Sequence, residues 1–291
     1  YKMILSTLDK SRKGGAYEQI PSLVLGQRWT PQLNSRNMMK VVLCVWIEPY
    51  IENDLSFCVW PVHTPTTSKE VLTLSASTSP LPYTGNKSCI VNTISSVMPK
   101  HTVYIDPCMG SAEVFFRKPR AEKEILNDYN GDLVNLFRVI QNNEKLAYLL
   151  GRLYLSINGE LAFKQNKDRL KGVPNILDDV IETSQIFYDA SWEDIQNAAA
   201  FLENQVYSFS STGQTFGIAR RDMSQRLPRL MSAYNRIRDA IILHRDYKDV
   251  ITYAACPGSF ILLDPPYKGT EDMYSKANFD IEQHDILFSF M

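Results

Sequence analysis

Apolar and polar positions along the chain follow two alternating rhythms from Pro80 onward. Ile90, Val91, Ile94 and Val97 or Met98 keep a three-four spacing that predicts a helix over Lys87 to Met98, ended by Pro99. Thr102-Val-Tyr-Ile105 then reads as a short strand running into Asp106, and Gly110 introduces a helix from Ala112 to Phe116. The unit repeats. Glu124 to Asn127 is a strand ending at Asp128, and Leu133, Leu136, Phe137 and Ile140 mark the next helix. Later, Ala240 to Leu243 leads to Asp246, and Phe260 to Leu263 runs directly into Asp264. Strand and helix alternating in this way predict an α/β fold with a parallel sheet, whose ligands sit at the carboxyl ends of the strands.

Two stretches break the rhythm. From Asn142 to Ile237 the pattern is mostly helical around a polar, glycine-containing loop, Ser208 to Gly217, which reads as an insertion. Residues before Pro80 are turn-rich and linker-like, with Val41–Trp46 and Phe57–Trp60 as short strand candidates. The expected organisation is an atypical N-terminal segment, 1–79, that is poorly ordered, then a cofactor-binding part, 80–141. An inserted region, 142–238, and a catalytic part, 239–291, follow.

Composition narrows the class without choosing a function. A net charge of −1 offers no overall basic field, so contact with nucleic acid has to come from local clusters. One such cluster lies between Thr215 and Lys248, where eight Arg or Lys face three acids. Arg220, Arg221, Arg226 and Arg229 beside the polar loop are the candidates for DNA contact. The five cysteines are scattered with no Cys-x-x-Cys pair, which argues against a metal site or a disulfide framework. The apolar run Val41 to Ile47 falls far short of the roughly 20 residues that a membrane span needs. A monomeric cytoplasmic protein of a bacterial or phage-infected cell, without membrane contact, is the expectation.

The densest chemistry is Asp264-Pro265-Pro266-Tyr267, directly after an apolar strand. Two prolines hold φ near −65° and fix the loop's carbonyls. A carboxylate and a backbone carbonyl can accept both N–H bonds of an exocyclic amine, while the tyrosine ring stacks on its base. By itself such a tetrapeptide is as readily a surface turn, and the residues alone leave open adenine, cytosine N4 or RNA amines as targets, or a non-catalytic remnant.

With Asp106-Pro-Cys-Met-Gly-Ser-Ala112 and Pro82-Tyr-Thr-Gly-Asn-Lys87 in the same order along the chain, the sequence resembles the D12 class of adenine-specific DNA methyltransferases from about Pro80 to Met291. The resemblance implies a Rossmann-like S-adenosylmethionine-dependent methyltransferase sheet with an inserted, mostly helical target-recognition region, acting on double-stranded DNA. It puts Tyr83, Lys87, Asp106, Gly110, Asp128, Asp246 and Tyr247 at the cofactor, and Asp264, Pro265, Pro266 and Tyr267 at the flipped-out adenine. Lys87 would face the cofactor's carboxylate, Asp106 its amino group, Asp128 its ribose and Asp246 its adenine amine.

Three positions depart from the family pattern. Asn86 replaces a glycine, Cys108 a phenylalanine, and Ala112 stands where a third glycine is common, at a helix start that alanine is expected to occupy without strain. Met291 comes 24 residues after Tyr267, where the family continues with further strands, so an incomplete sheet with an unpaired edge is expected.

Overall fold

The computed structural model describes residues 2–8, 40–46, 78–178, 191–219, 221–266 and 283. Its frame is one sheet of β1 (Lys2–Leu8), β2 (Lys40–Trp46), β3 (Val103–Asp106), β4 (Lys123–Asn127), β5 (Ile241–Leu243) and β6 (Ser259–Leu263). The spatial order is β1-β2-β6-β3-β4-β5. β6, β3, β4 and β5 run parallel, whereas β2 lies antiparallel to β6 and β1 antiparallel to β2. The parallel part is the arrangement that the strand–helix rhythm predicts, and it is Rossmann-like as the family resemblance implies.

Period-two alternation divides the sheet's residues between two cores. Tyr104, Leu126, Ile242, Phe260 and Leu262 enter the larger one, beneath the helices. Their neighbours Ile105, Ile125, Leu243, Ile261 and Leu263 face the other side, against Tyr247, Val250 and Ala254 of a single helix. Every residue of β6 is buried, which is why its sequence after Ser259 is unbroken apolar rather than alternating.

Among the described residues the α-helices that frame the sheet and the inserted stretch are α1 (Val91–Val97), α2 (Glu113–Arg117), α3 (Gly131–Gln141), α4 (Asn143–Tyr154), α5 (Glu160–Lys171), α6 (Trp192–Tyr207), α7 (Leu227–Ile237) and α8 (Tyr247–Ala254). Within the inserted stretch α6 is the pillar: it packs against α3, α4 and α5, and Ala198, Ala199 and Ala200 let them approach closely. Glu203, buried on α6, is satisfied by Arg152 of α4 at 2.8 Å and Asn166 of α5 at 2.6 Å. A reciprocal pair, the Ser191 hydroxyl with the Asp194 amide and the Asp194 carboxylate with the Ser191 amide, caps its start. α4 to α7 therefore share the sheet's main core.

Two expectations change. α1 begins at Val91 rather than Lys87, because Asn86 Oδ1 accepts from the Ser88 amide and Ile90 N bonds Lys87 O, which winds the first residues into tight turns. The edge beside β6 is not bare: β2, from the segment before residue 80, is paired along it. Phe57–Trp60 lies outside the described residues. Among the described residues no helix is long and apolar enough to cross a membrane.

Candidate active site

The parallel strands deliver their carboxyl ends to one side of the sheet, and each is followed by a carboxylate. Asp106 closes β3, Asp128 follows β4, Asp246 follows β5 and Asp264 follows β6; all four line one cleft open to solvent. Its remaining wall comes from the turn before α1 and the loop between β3 and α2.

Both loops are shaped by backbone that glycine permits. In the turn Tyr83–Asn86, closed by Asn86 N to Tyr83 O at 3.2 Å, Gly85 takes φ +82°, the position of a type II turn that demands a positive φ. The turn aims Lys87 inward, where Nζ donates to Gly85 O and is ion-paired with Asp264. Gly110, at φ +48°, presents its amide to Asp128 Oδ2 at 3.0 Å, and Asn130 N reaches Oδ1 at 2.9 Å. Ala112 corrects one expectation. It sits at φ +54°, because the turn that brings its amide to Met109 O needs the left-handed conformation, so its methyl group carries strain of about 1–2 kcal/mol.

Burial controls the site's protonation. It pushes Asp106 up to about 8 against the hydrogen bond from Tyr104, with the neighbouring Asp264 and Asp128 adding to the rise. Burial raises Asp128 to about 6, opposed by the Asn130, Gly110 and Tyr129 amides. Cys108 is held well above the ordinary thiol value by burial and by the surrounding carboxylates, so it stays a neutral thiol. Asp246 spends one oxygen on the Lys248 amide as the N-cap of α8 while still lining the cleft. Tyr247 packs beneath it, with its hydroxyl 3.3 Å from Gln283 O. Tyr83 lays its ring against Gly110. Pro266 is on the wall; Tyr267 lies outside the described residues.

A family model described as D12 class N6 adenine-specific DNA methyltransferase matches residues 83–291, more than half of the chain. The chain belongs to this family. It is similar to the Type II methyltransferase M1.LlaDCHI of Lactococcus lactis subsp. cremoris, 23% identical over 192 residues that make up 64% of each protein. The match thus spans slightly less than two thirds of that relative.

The matched region of this D12-class chain starts at Tyr83, the first residue of the cleft's turn. On the helical side, the four DNA-contact candidates separate. Arg220 lies outside the described residues. Arg221 donates to Val206 O, which leaves its charge without a carboxylate in contact among the described residues. Arg226 is lowered from the usual guanidinium value by burial and then by the like charges of Arg229 and Arg221, so these three stand close together. Arg229 is exposed. Arg236, counted in the same basic stretch, instead turns inward to Glu124. The polar loop of 208–217 reaches the cleft's turn through Thr84 Oγ1 donating to Ser211 O at 3.4 Å. Ser210 and Ser211 both have positive φ, +53° and +56°, and Phe209 beside them is exposed.

Sequence reasoning passed over Asn127. Fully buried, it donates to Pro107 O and Arg245 O at 2.9 Å each and accepts from Arg245 N, locking the ends of β3, β4 and β5 together. Its only signal was its place next to Asp128 at a strand end. Asp178 was also missed: it pairs with Arg138 and accepts from His244 N, so it fastens the tail of the helical stretch to the end of β5.

Proposed function

We propose that this chain transfers a methyl group from S-adenosylmethionine to the N6 amine of a flipped-out adenine in double-stranded DNA. The observation that carries the reading is the meeting of Asp264 with Lys87 and Asp106 in one cleft at the ends of β6 and β3. The donor set fits the cofactor. Five carboxylates (Asp106, Glu113, Asp128, Asp246, Asp264) against Lys87 and Arg245 suit a ligand with positive groups, and Asp106 Oδ1 is buried with no hydrogen-bond partner among the described residues. S-adenosylmethionine supplies a methyl group carried on a positively charged sulfur.

On this reading, Asp106 Oδ1 accepts from the cofactor's amino group and Lys87 meets its carboxylate. Asp128 takes the ribose hydroxyls with the lone pairs left by Gly110 and Asn130, and Asp246 takes the adenine amine. Tyr83 and Tyr247 wall the pocket, and Gly110 allows the backbone to come close. Asp264 and the Pro265 carbonyl accept the two N6 hydrogens, which aims the nitrogen lone pair, and Tyr267 stacks on the base. Pro265 and Pro266 keep that backbone fixed. Because Lys87 pairs with Asp264, one cation joins the cofactor's end of the cleft to the target's. The helical stretch 142–238 serves as the target-recognition region, with Arg221, Arg226 and Arg229, and Arg220 beside them in sequence, on phosphates or guanine edges.

The test is to incubate the chain with S-adenosylmethionine and DNA, digest the DNA and quantify its modified bases. N6-methyladenine is expected, and Asp264→Ala should lower its formation about a hundredfold or more while leaving cofactor binding in place. Undiminished methylation by that variant would sink the assignment. N4-methylcytosine as the product would move the target to cytosine.

A further inference from the structure

Tyr104 and Asp106 are two residues apart on β3, so both side chains leave the same face of the sheet. Tyr104 is fully buried in the main core, its ring stacked with Phe260 at 6.1 Å between centroids and tilted against Phe115 at 6.5 Å. Those contacts hold the ring between two aromatic neighbours. Its hydroxyl donates to Asp106 Oδ2 at 3.0 Å. Of the two Asp106 oxygens, Oδ2 is therefore tied to the core, and Oδ1 is buried without a partner among the described residues.

A second feature strengthens the hydroxyl as a donor. Lys118 Nζ lies 4.2 Å from the centre of the Tyr104 ring, held there by Glu124, which Arg236 of α7 grips from the other side at 2.8 Å. A cation over the ring face draws electron density from the phenol, so its O–H becomes a better donor to a carboxylate. The chain of contacts runs from α7 through Arg236, Glu124, Lys118 and Tyr104 to the cleft. No residue of it except Asp106 touches the cleft wall.

We propose that Tyr104 is a positioning residue for the cofactor's amino group, holding Asp106 by Oδ2 so that Oδ1 is the acceptor presented to the ligand. The inference rests on the reading of the cleft as an S-adenosylmethionine site. It adds that selectivity for the amino end of the ligand originates in the core, one residue removed from the pocket, and acts through geometry. Replacing the hydroxyl alone frees Asp106 to rotate and leaves Oδ2 buried without its donor.

The experiment is a calorimetric titration of wild type, Tyr104→Phe, Asp106→Asn and the double variant. Two ligands are used: S-adenosylmethionine, and 5′-methylthioadenosine, which carries the same nucleoside on a neutral sulfur and lacks the amino-acid end with its α-amino and carboxylate groups. Tyr104→Phe should bind S-adenosylmethionine about tenfold more weakly, the scale of removing one hydrogen bond to a charged group, and bind 5′-methylthioadenosine as wild type does. The double variant should bind no more weakly than Asp106→Asn, since Tyr104 acts only through that carboxylate. Equal weakening for both ligands would mean a general loss of structure and overturn the proposal, as would unchanged affinity for S-adenosylmethionine or additive losses in the double variant. Failure of wild type to bind S-adenosylmethionine would overturn the cofactor reading itself, and this inference with it.

Discussion

Asp106 shows how one residue ties protonation to ligand binding. Burial lifts it to about 8, so in the free protein at neutral pH it carries a proton, whereas a ligand's ammonium group needs the carboxylate. Binding must then release that proton, and affinity for S-adenosylmethionine should climb as pH rises from 6 toward 8, by up to about tenfold per unit for one proton. Asp128, raised to about 6, adds to the slope only at the acid end. Titrations at pH 7 in buffers of different ionisation heat should reveal close to one proton released. Flat affinity and no release would show Asp106 already ionised. The sign for stability is opposite. A carboxyl whose folded value is raised binds its proton more tightly when folded, so its contribution is full below the ordinary value near 4 and is lost as pH rises through about 8. Asp106, Asp128 and Asp264 were legible because each stands at the end of a run that reads as a strand. Tyr104 and Asn127 were not, because their work is done through buried hydrogen bonds, in the case of Asn127 to a carbonyl 118 positions away.

At the scale of elements, β3 to β6 could be read from the chain because each is a short apolar run stopped by a polar residue, and α3 because its buried positions recur at helical spacing. β1 escaped notice, and so did the placement of β2, since pairing between strands so distant in sequence leaves no local signature. That pairing has a consequence. β2 lies between β1 and β6, so successive residues of β2 direct their amides to alternate neighbours. Cys44→Pro and Val45→Pro would each remove one of these bonds, one toward β1 and the other toward β6, the strand that carries Asp264. Each should cost roughly 1–3 kcal/mol through a carbonyl left without its donor on the neighbouring strand, visible as a lower midpoint in thermal unfolding. The variant facing β6 should lose methyl transfer more steeply than the other. Wild-type melting in both would mean that β2 does not secure the edge.

Over the whole molecule, charge is close to balanced at −1, so attraction to a polyanion has to be concentrated. Two arginines near α7 show opposite uses of the same side chain. Arg236 is buried, bound to Glu124 and to Phe115 O at 2.8 Å, and Arg236→Ala would leave Glu124 to Lys118 alone and Phe115 O without its donor, at a cost of about 1–3 kcal/mol. Arg226, by contrast, is half-buried next to Arg229 and Arg221, whose like charges disfavour its own. Repulsion of this kind destabilises the free protein and is relieved when phosphate arrives between the guanidinium groups. Arg226→Gln with Arg229→Gln should therefore leave the melting temperature of the free chain unchanged or raised. The same pair should weaken DNA binding and flatten its dependence on salt by roughly 0.9 in logarithmic slope for each phosphate that is no longer neutralised, with S-adenosylmethionine affinity intact. DNA affinities measured from low to moderate salt, alongside a thermal melt of each variant, separate the cases. If the double variant melts well below wild type and its salt slope is unchanged, the cluster holds the fold together and the DNA-facing surface lies elsewhere on the molecule.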